Sequence, residues 1–283
     1  MTTRRTFLRL ALLGGVLALA LPGCGKDVVR IRLATTTSFR DTGLSDVLLA
    51  EYRKDTGVEV QAVAVGTGEA LKLGERGDAD VVLVHARKAE DEFMAKGFGV
   101  ERHDLWWNRF LIVGPAADPA GLAKATGARD ALARLRDAKA LFVSRGDDSG
   151  THKREKELWG ADPKTSRYEE TGQGQGPTLL IASELEGYTL TDEGTYLRMR
   201  SKLALVPLVT NDPLLRNPYG VILVRVQPGR EAVHAEAKHF ADWLAGPRAR
   251  ALVEGFRIDG QRPFFLPGEE APAEASPGAA TPK

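Results

Sequence analysis

The 283-residue sequence contains a single cysteine. That excludes an intramolecular disulfide and any cysteine-based zinc cluster. Histidine is scarce as well, with five scattered residues and no H-x-x-x-H spacing, so a His-rich cation site is not expected. There is no excess of charge: 39 Lys and Arg stand against 38 Asp and Glu, a formal +1. Such a balance gives no long-range attraction to nucleic acid. No G-x-x-x-x-G-K-[ST] is present, and Gly172-Gln173-Gly174-Gln175-Gly176 lacks both the G-x-G-x-x-G spacing and a clear strand before it. No cofactor is therefore expected. Hydrophobic residues at 43% and charged residues at 27% describe an ordinary globular chain.

The first segment reads as an address. Arg4-Arg5 and Arg9 precede an apolar run, Leu10–Leu21. It is too short for a bilayer, which needs roughly 20 residues, and fits an export signal over residues 1–23. The paired arginines resemble a twin-arginine signal, whose pathway exports folded cargo. Leu21-Pro22-Gly23-Cys24 resembles a lipoprotein cleavage box, although Pro22 is unusual there. Acyl chains on Cys24 would anchor the mature chain to a membrane's outer face. The alternative is an ordinary cleaved signal beside a stray cysteine. Without residues 1–23, which carry three Arg and no acid, the chain holds 36 basic and 38 acidic residues.

Beyond the signal, strand and helix patterns alternate. Val28–Ala34 reads as a strand and Asp41–Asp55 as a helix. Strands at Val58–Val65, Ala79–Val84 and Trp106–Gly114 follow, with a short helix from Glu69. This β-α-β-α-β order predicts a parallel sheet covered by helices, hence an α/β fold. The pattern then restarts with a helix at Ala128–Ala138, a strand at Leu141–Ser144 and helices at Thr151–Trp159 and Pro177–Glu186. Strands at Leu203–Leu208 and Tyr219–Val226 and two helices between Glu231 and Glu254 complete it. The Pro-, Ala- and Glu-rich residues 267–283 are expected to be a disordered tail.

Three loops share one chemistry: Thr35-Thr36-Thr37-Ser38, Gly66-Thr67-Gly68 and Arg145 through Thr151. Each follows a predicted strand end and leads into a helix, the edge at which open α/β sheets bind ligands. Helix N-termini there offer unpaired N–H groups and about half a positive charge. Small hydroxyls add donors, and glycine allows close backbone approach. Thr36, Thr37, Ser38, Thr67, Gly68, Arg145, Ser149, Gly150 and Thr151 are therefore candidate ligand-binding residues for an anion. Ser, Thr and Gly are also the usual caps and turn residues, so the joint occurrence carries the reading. Asp147 either orients Arg145 or faces the ligand. Ser149 and His152 could be drawn as nucleophile and base, but the G-x-S-x-G elbow is missing. Trp106-Trp107 suits packing, and His85 suits either the cleft or a structural role.

In this order, the loops resemble the solute-binding component of bacterial tungstate importers of the ATP-binding-cassette (ABC) type. That component belongs to the two-lobed oxyanion binders, which include those for molybdate, phosphate and sulfate. The matching stretches include Ala34–Ser38, Val65–Leu71, Asp80–Ala86, Ser144–His152, Glu170–Gly174, Gly187–Tyr196 and Asn217–Ile222. Gln175 and Glu193 depart from it, standing where a Met and a basic residue are expected. The resemblance implies a type II periplasmic binding fold: lobe 1 at 28–112 and 218–266, and lobe 2 at 113–217. Hinge crossings are expected near Phe110–Gly114 and Asn211–Pro218. It also implies a monomeric extracytoplasmic receptor, not an enzyme, that delivers tungstate to a membrane permease. Molybdate or phosphate is the alternative ligand, and a hydrolase using Ser149 is the alternative of another class.

Overall fold

The computed structural model describes residues 30–161 and 164–271. The export signal, Cys24 and residues 272–283 of the expected tail lie outside the described residues. The chain runs β1 (Arg30–Thr36), α1 (Thr37–Asp41), α2 (Leu44–Thr56), β2 (Glu59–Val65), α3 (Thr67–Arg76), β3 (Val81–Val84), α4 (Arg87–Ala95) and β4 (Gly99–Pro115). It continues with α5 (Ala128–Asp137), β5 (Leu141–Ser144), α6 (Gly150–Trp159), β6 (Arg167–Glu170), α7 (Gln175–Glu184), β7 (Thr189–Asp192) and α8 (Glu193–Met199). Then come β8 (Leu205–Val209), β9 (Arg216–Val224), α9 (Glu231–Ala245) and α10 (Pro247–Gly255).

The α/β class is as the sequence predicts, but the all-parallel sheet is not. β1, β2 and β3 pair in parallel, whereas β9 joins β3 antiparallel and β4 joins β9 antiparallel. The reason lies in the connections. Helices α2 and α3 carry the chain back for parallel pairing, while β4 and β9 reach their neighbours from distant parts of the chain. β4 is also longer than expected, at 17 residues. Its first part pairs with β9; its last residues, Phe110–Pro115, pair with β7 and β8. A second, parallel pair, β5–β6, lies beside β7 through the Phe142–Tyr188 bridge.

The burial pattern follows strand alternation. Ile31, Leu33, Val81, Leu83, Val221 and Leu223 pack on one face with Tyr52, Trp106 and Phe240. Their neighbours Ala34, Val82, Val84, Ile222 and Val224 pack on the other with Ala70 and Phe93. A second pair of clusters repeats this arrangement: Phe110, Ile112, Phe142 and Leu190 form one, Leu111, Val113, Leu141 and Val143 the other. Burial on both faces explains the unbroken apolar runs of β3 and β4. Trp106 stacks on Phe39 inside the first core, and Trp107 packs on Phe265. The expected helix 41–55 starts later, as α2 at Leu44 after Gly43, whose φ of 77° is left-handed, and Asp41 instead ends α1.

Candidate anion-binding site

Each of the three loops sits where a strand hands over to a helix. Thr36 ends β1 and caps α1, its Oγ1 accepting the Phe39 N–H at 3.2 Å. Gly66 caps α3, and Ser149 caps α6 by accepting the His152 N–H at 3.3 Å. Capping thus occupies one lone pair of Thr36 and of Ser149 and leaves each hydroxyl proton free to donate. The N–H groups of Thr67, Gly68, Gly150 and Thr151 precede the first intrahelical bonds of α3 and α6.

Tertiary packing brings the loops together. Ser38 Oγ lies 3.2 Å from His85 Nε2 and 3.2 Å from Thr36 Oγ1. Gly150 abuts the same histidine and Thr67. A Cβ there would fall 2.6 Å from His85 Cε1 and 3.1 Å from Thr67 Oγ1. A Cβ on Gly68 would come 3.3 Å from Asp148 Oδ2, so that turn backs onto the Arg145 loop. Thr37 is half-buried beside them. Thr151 Oγ1 accepts a hydrogen bond from Arg145 Nη1 at 3.4 Å. All nine candidates therefore belong to one region. A cleft of about 1080 Å³ adjoins it between α4 and α6, lined by His85, Phe110, Gly150 and Pro218 and by basic and acidic residues of both helices, among them Arg87, Lys153, Asp91 and Glu157.

The electrostatics suit an anion. Arg145 is 1% exposed. Its Nη2 donates to Asp147 Oδ2 at 2.5 Å, and Asp147 Oδ1 accepts the Ser149 N–H at 3.2 Å. Both oxygens of Asp147 are thus engaged within the loop, orienting the guanidinium. Asp148 turns outward to Lys153 and Lys156. Among the candidate ligand-binding residues, two donors are buried without a protein partner, Thr67 Oγ1 and Arg145 Nε. Such groups are costly unless something accepts their protons.

The His152 ring turns to the loop backbone, its Nδ1 accepting the Asp148 N–H at 3.0 Å. Glu193 is buried, yet its charge is met by Arg109, with Nη2 to Oε1 at 2.6 Å. Gln175 Nε2 donates to the Leu190 carbonyl at 3.0 Å. Behind the Arg145 loop, Glu155 accepts from Tyr168 and Ser144. No strong local signal marks His85. It is one histidine at a strand end, and only the fold sets it between Ser38 and Gly150.

Gly150→Ala tests how firmly the loops meet. Alanine is the better helix former by about 1 kcal/mol, so propensity alone would stabilise α6. Overpacking against His85 and Thr67 costs about 1–3 kcal/mol and should win. A lower urea midpoint is expected. An equal or higher midpoint would mean that the loops part without cost.

This architecture, with a donor cluster at strand ends flanked by two pairs of cores, is that of a ligand-binding protein of the periplasmic type. The family model described as a PBP superfamily domain matches residues 25–248. The chain belongs to the PBP superfamily and is a homologue of its tungstate-binding proteins. The tungstate-binding protein TupA of Peptoclostridium acidaminophilum is 45% identical over 256 residues, covering 84% of this chain and 89% of that protein. The crystal structure of the tungstate ABC transporter from Geobacter sulfurreducens is 48% identical with a TM-score of 0.74, covering 80% of this chain and 98% of that one. The tungstate-binding protein TupA from Desulfovibrio alaskensis G20 is 41% identical with a TM-score of 0.74, covering 85% and 99%.

Proposed function

We propose that this protein is an extracytoplasmic receptor that binds a tetrahedral oxyanion, tungstate foremost, and delivers it to an ABC permease. The observation that carries the reading is the pair of buried, unpartnered donors, Thr67 Oγ1 and Arg145 Nε, beside a loop whose carboxylates are already engaged. Near neutral pH phosphate keeps a proton and needs an acceptor, whereas tungstate and molybdate need donors only. Asp147 already holds Arg145 and the Ser149 N–H, one with each oxygen, which favours the proton-free anions. Tungstate and molybdate share charge and shape, and the names of the relatives favour tungstate.

Thr36, Thr37, Ser38, Thr67 and Gly68 supply one side of the donor shell, and Arg145, Ser149, Gly150 and Thr151 the other. Strands β4 and β9 carry the chain between the two halves, with hinge crossings near Phe110–Gly114 and Asn211–Pro218. An anion touching both sides stabilises the closed arrangement, because only closure completes the shell. The protein acts as a monomer and performs no catalysis.

Tungstate at about 100 times its Kd adds about 2.7 kcal/mol of stability by linkage. For a chain of this size that raises Tm by about 5–10 °C. Phosphate at the same concentration should leave Tm unchanged; equal shifts from both anions would defeat the specificity. We further propose export by the twin-arginine-like signal and anchoring through acylated Cys24. Cys24→Ser should move the protein from the membrane to the soluble fraction, and continued membrane fractionation would count against the anchor.

A further inference from the structure

We propose that His85 determines the specificity of this site without touching the ligand: through Ser38, it sets whether the site offers a bound oxyanion a proton or a lone pair. The inference rests on the oxyanion-binding function proposed above.

His85 is buried and held at both ring nitrogens. Nε2 lies 3.2 Å from Ser38 Oγ and Nδ1 lies 2.9 Å from Asn217 Oδ1. Asn217 Nδ2 in turn donates to Asn108 Oδ1 at 2.7 Å, across the β4–β9 pairing where these two residues are register partners. Burial, with Arg145 nearby, pushes the imidazole pKa down to about 4, so the ring is neutral at physiological pH. A neutral imidazole carries one N–H, and the partner of one nitrogen dictates the role of the other.

Two arrangements are connected end to end. In the first, His85 carries its proton on Nδ1 and donates to Asn217. Nε2 is then an acceptor and takes the single proton of Ser38, which presents only lone pairs to the ligand. In the second, both carboxamides are turned by half a revolution. Asn108 Nδ2 donates to Asn217 Oδ1, Asn217 Nδ2 donates to His85 Nδ1, and His85 Nε2–H donates to Ser38. The Ser38 proton is then released from His85 for the ligand, with Thr36 Oγ1 at 3.2 Å as the competing acceptor.

A fully ionised tetrahedral anion has acceptors only, so the second arrangement alone gives it a hydrogen bond from Ser38. A protonated anion, such as hydrogen phosphate, is served by the first. The surroundings favour the second. With Asn217 Oδ1 facing the imidazole, Asn108 Nδ2 and the Tyr219 hydroxyl are both buried without a partner. The half-turn gives Asn108 Nδ2 an acceptor and leaves a carboxamide oxygen beside Tyr219, which borders both asparagines. Buried N–H groups are almost never left unpaired, and carbonyl oxygens tolerate it better.

The test uses the whole chain, ¹⁵N-labelled, with tungstate at saturation. Long-range ¹H–¹⁵N correlation of the His85 ring should show the proton on Nε2; a proton on Nδ1 in the tungstate complex overturns the inference. A mutant cycle gives a second readout. Asn217→Asp only accepts, holds the proton on Nδ1 and, at a pH where the same spectra show a singly protonated ring, should weaken tungstate about tenfold or more, the worth of a hydrogen bond to a charged group. In a Ser38→Ala background the same substitution should cost little, since the relay has lost its end. Equal losses in both backgrounds would mean that the new charge acts by itself, and would overturn the proposal. Calorimetry of the unmodified protein separates the two readings. No tungstate binding refutes the receptor function, whereas binding with the proton on Nδ1 refutes only the role of His85.

Discussion

Arg145→Ala is expected to weaken tungstate binding by about 2–5 kcal/mol, roughly 30- to 5000-fold in Kd. The magnitude follows from burial. Arg145 is 1% exposed, so its charge is little screened, and its Nε has no protein partner. Removing it deletes the one cation among the candidate ligand-binding residues and leaves the Asp147 carboxylate beside the site without its cation, so repulsion adds to lost attraction. Arg145→Lys should recover part of the loss, since it restores a charge without the planar fork of donors. Calorimetric titration well below the melting temperature of each variant separates this from lost stability. An unchanged titration for the alanine variant would remove Arg145 from the site.

The second large effect concerns pH and two buried groups of opposite behaviour. Burial pushes the Glu155 carboxyl from its ordinary 4.5 up to about 7. Between those values the folded protein holds a proton that the unfolded chain has released. Stability therefore falls as pH rises through that interval, by up to ~3 kcal/mol. His85 runs the other way. Burial pushes it from 6.5 down to about 4, so the unfolded chain takes up a proton that the folded protein refuses. Its contribution is lost as pH falls from about 6.5 to 4, again by up to ~3 kcal/mol. Over their shared interval the two oppose, which flattens the profile. Glu155→Gln removes the first and leaves the second uncovered. Urea denaturation of that variant should show stability dropping steadily on acidification below pH 6.5 while the parent changes little. Parallel profiles would mean that the Glu155 carboxyl titrates in the folded protein as it does in the unfolded chain.

Much of the fold could be read from the chain. Strand β5 falls at Leu141–Ser144 as expected, and α5, α6, α9 and α10 begin within a residue of their predicted starts. These segments carry strong local signals, such as an apolar run closed by a polar loop or an amphipathic repeat. Strands β6 and β7 and helices α1, α4 and α8 were not anticipated. β6 is polar and mostly exposed, and α4 is short with few apolar residues, so neither has a periodicity to read. Strand direction was misread for a related reason. Periodicity reports which faces are buried but not which strand lies alongside, and β9 pairs with β3 across more than a hundred residues.

The site divides along the same line. Sequence alone determined its chemistry: hydroxyls, glycines and one arginine at strand-to-helix junctions, because capping and anion binding draw on the same backbone N–H groups. Only the tertiary structure decided that Asp147 turns to Arg145, that Glu193 is neutralised by Arg109, and that His85 stands between Ser38 and Gly150. Those are facts of orientation and of contacts between distant segments. They are fixed by how the sheets and helices pack, and no local pattern of residues encodes them.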